Sequence, residues 1–216
     1  KNKKIICIFS HPDDVELVCY GTLKKFKKLK YNIHCLFLSK GEKSLASIEI
    51  SRDDQTLKAL SKISKNIYFE EFKDGQFYYN SEIITVIDKY LNKIKPSIVI
   101  THFTNSDGSS AHQDHHVTRL AASNSARRNN YVKILAYAEP EHNIKDFIPN
   151  LYVDITHYFR EKLKILNFHS NEKKKYYFKK KYLETKSYWW SQQINGSERL
   201  SKKKFYETFQ VIFHNT

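Results

Sequence analysis

Apolar residues along the chain fall into two patterns, short unbroken runs and longer stretches at helical spacing. The run at 5–9, Ile-Ile-Cys-Ile-Phe, reads as a strand buried on both faces. Residues 15–28 follow, with Leu17, Val18, Leu23, Phe26 and Leu29 able to share one helical face. The alternation then repeats. Strands are predicted at 32–38, 66–69, 97–101 and 133–138, with helices at 47–63, 81–93 and from about 111 to 128. Ser81 is the candidate cap of the third helix, and Pro96 stops it. Further on, a short strand at 151–154 and a helix at 156–168, capped by Thr156, precede a basic stretch at 172–181 and a last strand or helix at 205–213. Tyr188, Trp189 and Trp190 are expected to pack.

Strand and helix alternation at this spacing builds βαβ units with right-handed crossovers. The expected fold is therefore α/β, a Rossmann-like three-layer arrangement whose mostly parallel sheet runs about 3-2-1-4-5, with a basic C-terminal extension. Residues 1–216 read as a single domain, in which 1–138 form the core and 139–216 complete the site and the sheet. There is no internal repeat and no linker long enough to separate domains. In the 3-2-1-4-5 order the first and fourth strands are neighbours, so the loops leaving them meet at one crevice, the place where ligands bind in open α/β sheets.

Those two loops carry the chemistry. The first holds His11-Pro12-Asp13-Asp14. Its histidine and carboxylates are zinc-type ligands, and Pro12 delays the helix that follows. The structural alternative is a plain strand-to-helix turn capped by Asp13 or Asp14. The second loop and its helix hold His102, Asp107, His112, Asp114, His115 and His116. Three and four residues apart on a helix, His112, His115 and His116 can project to one side. Polar residues also favour helix starts, and Asp114 there suits the macrodipole. Two such loops converging on one switch point favour a metal site over that alternative.

Composition changes this picture little. The chain has 216 residues, 40% hydrophobic and 14% aromatic, enough for one α/β domain with a core. The formal charge of +14 fits an anionic substrate, an anionic surface or nucleic acid. A lysine-biased composition explains it equally well. In the stretch 172–181 lysines alternate with Tyr176, Tyr177 and Phe178, which suits an amphipathic helix better than a nucleic-acid surface. No nucleic-acid partner is expected. Cys7, Cys19 and Cys35 lack metal spacing, which with their odd number suggests a reducing compartment. No apolar run is long enough to span a membrane. Residues 1–4 lead straight into a strand, so a cytoplasmic protein is expected. The chain contains no Met, even at position 1, so its initiator is expected to be missing.

Joined to His112-Gln113-Asp114-His115, the His11-Pro12-Asp13-Asp14 turn resembles the PIG-L/LmbE-like family of zinc-dependent N-deacetylases. Gly21-Thr22-Leu23 continues the likeness, and looser matches are Arg52, Asp74-Gly75, Pro96, Tyr152-Val153-Asp154-Ile155-Thr156, Lys162, Ser170 and Phe205-Tyr206-Glu207-Thr208-Phe209. It departs from the family at Tyr20-Gly21, where two glycines are usual, at Ser170-Asn171, where Ser-Gln is usual, and in a longer loop between Asp107 and His112.

The resemblance implies a hydrolase that removes an N-acetyl or other acyl group from an amino sugar or sugar conjugate. It makes His11, Asp14 and His115 the ligands of one Zn2+ per chain, and imidazole suits Fe2+ as well. Two imidazoles, a carboxylate and an open position form a catalytic rather than a structural donor set. On the same resemblance Asp13 is the general base, His112 stabilises the oxyanion and Asp114 orients a histidine. Arg52 and Asp74 would hold sugar hydroxyls. Lys40 and Lys43, after the second strand, would meet a phosphate if the sugar is nucleotide- or lipid-linked. His116 is read as structural, and His102, His142, His157 and His169 as ordinary histidines. A homo-oligomer is left open. The competing readings are an amidase on a non-sugar amide, a basic nucleic-acid-binding protein, and a nucleotide-binding module; the last lacks a Gly-x-Gly-x-x-Gly after the first strand.

Overall fold

The computed structural model describes residues 3–43, 51–105, 112–142, 146–195 and 203–214. Its elements are β1 (Lys4–Phe9), α1 (Asp14–Lys28), β2 (Asn32–Phe37), α2 (Arg52–Leu60), β3 (Asn66–Phe69), α3 (Ser81–Ile94), β4 (Ile98–His102), α4 (Gln113–Arg127), β5 (Ile134–Ala138), β6 (Leu151–Asp154), α5 (Thr156–Leu166), α6 (Lys180–Asn195) and β7 (Tyr206–His214). One sheet contains all seven strands, in the order β3-β2-β1-β4-β5-β7-β6. The first five are parallel, in the 3-2-1-4-5 order read from the sequence. β7 then pairs antiparallel with both β5 and β6, which carries the sheet past its parallel part.

The unbroken apolar runs are explained by helices on both faces. Ile5, Cys7 and Phe9 of β1 pack with α1, α2 and α5, while Ile6 and Ile8 pack with α3 and α4. Withdrawing each such side chain from water contributes roughly 1.5–3 kcal/mol. All three cysteines are free and buried, packed as small apolar groups. Helix α1 is buried all round over its first ten residues, because α2, α5, β7 and the parallel strands β1 and β2 enclose it. Among the described residues no helix is long and apolar enough to cross a membrane.

Several local expectations are corrected. The predicted start of the second helix at 47–50, including Ile48, lies outside the described residues, as do Asp107 and Ala111. Within them α2 starts at Arg52, and Ser51 caps it by accepting from the Asp54 N–H. Asn80, not Ser81, caps α3 by accepting from Ile83. Thr156 is not a cap either: its N–H donates to Asp154 Oδ1 at 2.9 Å. Trp190 packs against Phe147 and Tyr152, but Trp189 is 57% exposed.

The largest correction is the basic stretch. Residues 170–175 form successive turns, Tyr176–Phe178 a 3-10 turn, and only then does α6 begin. Glu172 and Phe178 are both buried. Six residues apart on an α-helix they would point about 120° apart, so a surface helix would turn one of them toward its flank, whereas the turns bring both inward.

Candidate metal centre

Parallel pairing of β1 with β4 sets the ends of these strands side by side. The Ser10 N–H, just past β1, donates to His102 Nε2 at the end of β4, 3.1 Å away. The two loops therefore begin fastened together. Within the first, the His11 N–H donates to Asp14 Oδ2 at 2.8 Å, folding the turn back on itself. Asp13 occupies the N-cap position of α1 without making a side-chain cap. Its φ of 98° is left-handed. For a residue other than glycine that costs about 1–3 kcal/mol and persists only where its surroundings enforce it.

The imidazoles and carboxylates cluster tightly. His11 Nε2 lies 2.9 Å from Asp114 Oδ2 and 3.2 Å from Asp74 Oδ1. Its Nδ1 faces Asp14 Oδ2 at 3.8 Å, and the other oxygen of Asp14 is 3.5 Å from His115 Nε2. His115 Nδ1 is 3.6 Å from Glu141 Oε1. His102 stacks on the His115 ring, centroids 3.9 Å apart. Asp114, fully buried, also accepts from the Gly75 and Phe77 N–H groups, which ties the loop after β3 to the site.

Among the described residues three groups have ligand atoms close enough to share a metal: His11–His112–His115, His11–Asp74–His112–Asp114 and Asp14–His102–His115. The trio read from the sequence is not one of them by itself. His115 is common to two groups, one containing His11 and the other Asp14. Lone pairs discriminate among the donors. His102 Nε2 already accepts the Ser10 N–H. Between two carboxylates, His11 Nε2 carries the proton, which leaves the lone pair on Nδ1, facing Asp14. His112 Nδ1 accepts the Asp114 N–H at 3.2 Å, so Nε2 carries the proton of the neutral ring. That leaves His11 Nδ1, the Asp14 carboxylate and His115 Nε2 with donor capacity, a set that fits a catalytic metal.

Electrostatics differ among the three. Burial pushes the Asp14 carboxyl well above the ordinary range despite the attraction of His11, as expected of a carboxylate short of positive charge. Burial lowers His115 to about 3, keeping its lone pair available. Burial would also lower His11, but its bonds to Asp114 and Asp74 prevail and raise it to about 10, so this ring has to give up its Nδ1 proton before that nitrogen can hold an ion. Asp13 is raised by burial against the pull of Arg52.

A cleft of about 750 Å³ opens on this cluster, and His11, Asp13, Asp14, His112, His115, Arg52, Asp74 and Lys43 all line it. Lys40 does not line it; its Nζ pairs with Glu71 Oε1 at 2.8 Å. His116 turns aside, its Nδ1 3.1 Å from Thr104 Oγ1. His169 is buried, 3.0 Å from Glu16 Oε1 on α1. The sequence reading did not single out Glu141, Glu172, Lys174, Lys175 or Tyr177, all in the cleft wall. Glu141 carried a usable signal, since it follows a parallel strand at its carboxyl end. The others had none, because tertiary contacts bring their segment to the cleft.

A parallel sheet with an imidazole–carboxylate pocket at its switch point is an α/β architecture whose site could hold a metal ion. The chain belongs to the PIG-L family, GlcNAc-PI de-N-acetylase, whose sequence model matches residues 6–126. It is 25% identical over 188 residues to the diacetylchitobiose deacetylase of Thermococcus kodakarensis, covering 79% of this chain and 70% of that protein. Its fold matches the N,N'-diacetylchitobiose deacetylase of Pyrococcus horikoshii with a TM-score of 0.78, at 20% identity, over 97% of this chain and 84% of that one. A 4-carboxy-2-hydroxymuconate hydratase from Pseudomonas putida matches with a TM-score of 0.82, at 14% identity, over 99% of this chain and 98% of that one.

Proposed function

We propose that the protein is a metal-dependent hydrolase that removes an N-acetyl group from an amino sugar or its conjugate. The observation that carries this reading is the division between two adjacent carboxylates in one cleft. Asp14 lies between the imidazoles of His11 and His115, while Asp13 is held apart from them by Arg52. This division supports reading one carboxylate as a ligand and its neighbour as a proton acceptor. Family membership, together with the deacetylases that the chain resembles, supports the N-acetyl amino sugar as the substrate class.

His11 Nδ1, Asp14 and His115 Nε2 would hold the ion, zinc before iron, with Asp114 fixing the ring of His11. When bound, the ion supplies the Lewis acidity that makes water a nucleophile at neutral pH. Asp13 takes a proton from the attacking water and returns it to the departing amine. His112, whose Nε2 carries the proton, donates to the oxyanion formed when the amide carbonyl is attacked. Acetate and a free amino sugar leave. Lys43 and Lys174, exposed on the cleft wall, would meet a phosphate if the sugar carries one.

The likeness to a hydratase rests on fold alone, and fold does not fix a reaction. The test is direct. Purified protein is analysed for metals, then incubated with N-acetylglucosamine, an N-acetylated disaccharide and a nucleotide-linked N-acetyl sugar. About one divalent ion per chain and equal amounts of acetate and free amine are expected. Metal-loaded protein that releases no acetate from any of them refutes the reading.

A further inference from the structure

The loop that leaves β5, Glu139-Pro140-Glu141-His142, brings a carboxylate to the edge of the imidazole cluster. Pro140 has no N–H to continue the strand pairing, so the chain turns out of the sheet there. The Glu141 side chain, 10% exposed, then stands in the cleft wall. Its Oε1 sits between two rings, 3.6 Å from His115 Nδ1 and 3.0 Å from Nδ1 of its neighbour His142. The other nitrogen of His115, Nε2, faces Asp14 Oδ1 at 3.5 Å. The ring therefore has a carboxylate at each nitrogen. A neutral imidazole carries one proton. With Nε2 turned to an ion, that proton belongs on Nδ1, pointed at Glu141.

Glu141 is itself held in place from α6. Tyr182 and Lys186, four residues apart on that helix, share the face that meets the loop. The Tyr182 hydroxyl donates to the Glu141 carbonyl at 3.0 Å. Lys186 Nζ donates to the same carbonyl at 3.2 Å and to the carbonyl of Pro140. It also lies 3.5 Å from Glu139 Oε1, while Thr208 Oγ1 on β7 donates to Glu139 Oε2 at 2.9 Å. The loop is thus fixed along its main chain by α6 and at Glu139 by β7, which leaves the Glu141 carboxylate directed at the rings.

We infer that Glu141 is a positioning residue: its carboxylate fixes the ring of His115 so that Nε2 presents its lone pair to the ion, and α6 holds Glu141 for that task. The two imidazoles of the donor set are then each backed by a carboxylate, Asp114 at His11 Nε2 and Glu141 at His115 Nδ1. Helix α6, which carries no motif of its own, gains a part in holding the metal. The inference rests on the metal-dependent reading for the ion, though not for the geometry. Because Glu141 also lines the cleft, the rival role is direct contact with the substrate. The two roles leave different marks: one moves metal affinity, the other moves KM alone.

The test is zinc affinity. Wild-type protein, Glu141→Gln and Tyr182→Phe are stripped of metal and titrated with zinc against a chromogenic chelator, with circular dichroism to check the fold. Loss of the partner of a metal-bound imidazole typically costs about 10–100-fold in affinity, and Glu141→Gln should weaken zinc by that factor. Tyr182→Phe removes one hydroxyl from the grip on the loop. It should weaken zinc by about 2- to 10-fold, the range of a single hydrogen bond. Unchanged affinity in folded Glu141→Gln, or in Tyr182→Phe if the glutamine variant does not fold, overturns the inference. Zinc-saturated Glu141→Gln should keep KM within about 2-fold on an N-acetyl sugar that the wild-type protein hydrolyses. A raised KM with zinc affinity preserved would assign Glu141 to the substrate and overturn the inference. A crystal structure of the zinc-loaded wild-type protein reads the same idea without turnover. The distance from His115 Nδ1 to Glu141 Oε1 should close from 3.6 Å to about 2.8 Å. Nδ1 turned to another acceptor would overturn the inference. Wild-type protein that binds no divalent ion overturns the metal reading and this inference together, whereas equal affinity in wild type and variant overturns the inference alone.

Discussion

The two walls of the cleft are built by different means. One consists of the turn after β1 and the start of α4, where four consecutive residues, His11 to Asp14, and the short run from His112 to His115 carry their chemistry in sequence order. The fold of that turn is local: Asp14 accepts the N–H of His11, three residues earlier. The other wall, from Glu141 and from residues 170–177, has no periodic pattern. It is tied down by contacts far away in sequence, Glu172 to Arg52 and His169 to Glu16. The difference separates two tasks. Groups that could bind a metal are set by short motifs on a parallel sheet, while the groups that place them and shape the cleft depend on tertiary packing.

The largest effect should come from separating the adjacent carboxylates of the first wall. Asp14→Ala should lose the metal, because it removes a donor that lies between two imidazoles. Asp13→Ala should keep the metal and lose about 10²–10⁴ in turnover, the usual cost of a missing general base. Elemental analysis beside a kinetic assay decides this, and equal metal loss in both variants erases the distinction. Burial raises the Asp13 carboxyl. The acid limb of activity should therefore fall at a higher pH than an ordinary carboxylate would give.

The C-terminal packing beside the second wall should break by unfolding instead. Lys162 on α5 pairs with Glu207 on β7 at 2.8 Å, both buried, and Glu207 also accepts from the Gly21 and Thr22 N–H groups of α1. Lys162→Met leaves that carboxylate buried without its partner, a loss of about 3–5 kcal/mol. At roughly 2–4 °C per kcal/mol for a chain of this size, thermal melting should show it clearly. Metal content per folded chain should not change. Loss of metal before loss of structure would mean that the two regions are less separate than their construction suggests.

A smaller effect probes where α1 meets the C-terminal part. A Cβ at Gly21 would stand 2.5 Å from Ile155 Cγ2. Gly21→Ala should cost about 1–3 kcal/mol of overpacking. Ile155→Ala should relieve part of that cost, and denaturant melts of the two single variants and the double variant measure the coupling. Additive losses would place the strain elsewhere.

The same division governs what could be read from the sequence. The five parallel strands and their order were legible because buried runs and βαβ spacing leave few topologies. Convergence of the two loops followed from that order, so His11, Asp13, Asp14, His112, Asp114 and His115 could be brought together before any coordinates. The caps were missed where two adjacent polar residues competed and geometry chose between them, as with Asn80 beside Ser81. The stretch 172–181 reads as an amphipathic helix because lysine and tyrosine spacing is compatible with one; the inward pull on both Glu172 and Phe178 exists only in the folded chain. Lys40 was placed in the cleft by its position after β2, yet its side chain pairs with Glu71 outside it.

That last correction sharpens the final prediction, which concerns the mouth of the cleft. Arg52 and Lys175 are engaged with carboxylates there, while Lys43 and Lys174 are exposed and line the same space. If the sugar carries a phosphate, these two lysines attract it through solvent, and salt screens such attraction over a Debye length of ~10 Å at 0.1 M. Catalytic efficiency on a phosphorylated N-acetyl sugar should then fall several-fold, on the order of the steering effects of exposed charge, as salt rises. Efficiency on the neutral N-acetyl sugar should stay flat. The double variant Lys43→Ala with Lys174→Ala should flatten the first curve and leave the metal in place. Lys40→Ala should change neither curve, since its ammonium is already paired away from the cleft. A neutral sugar hydrolysed as efficiently as its phosphorylated counterpart at low salt would leave the +14 charge to composition. The irregular wall would then shape the cleft without selecting what enters it.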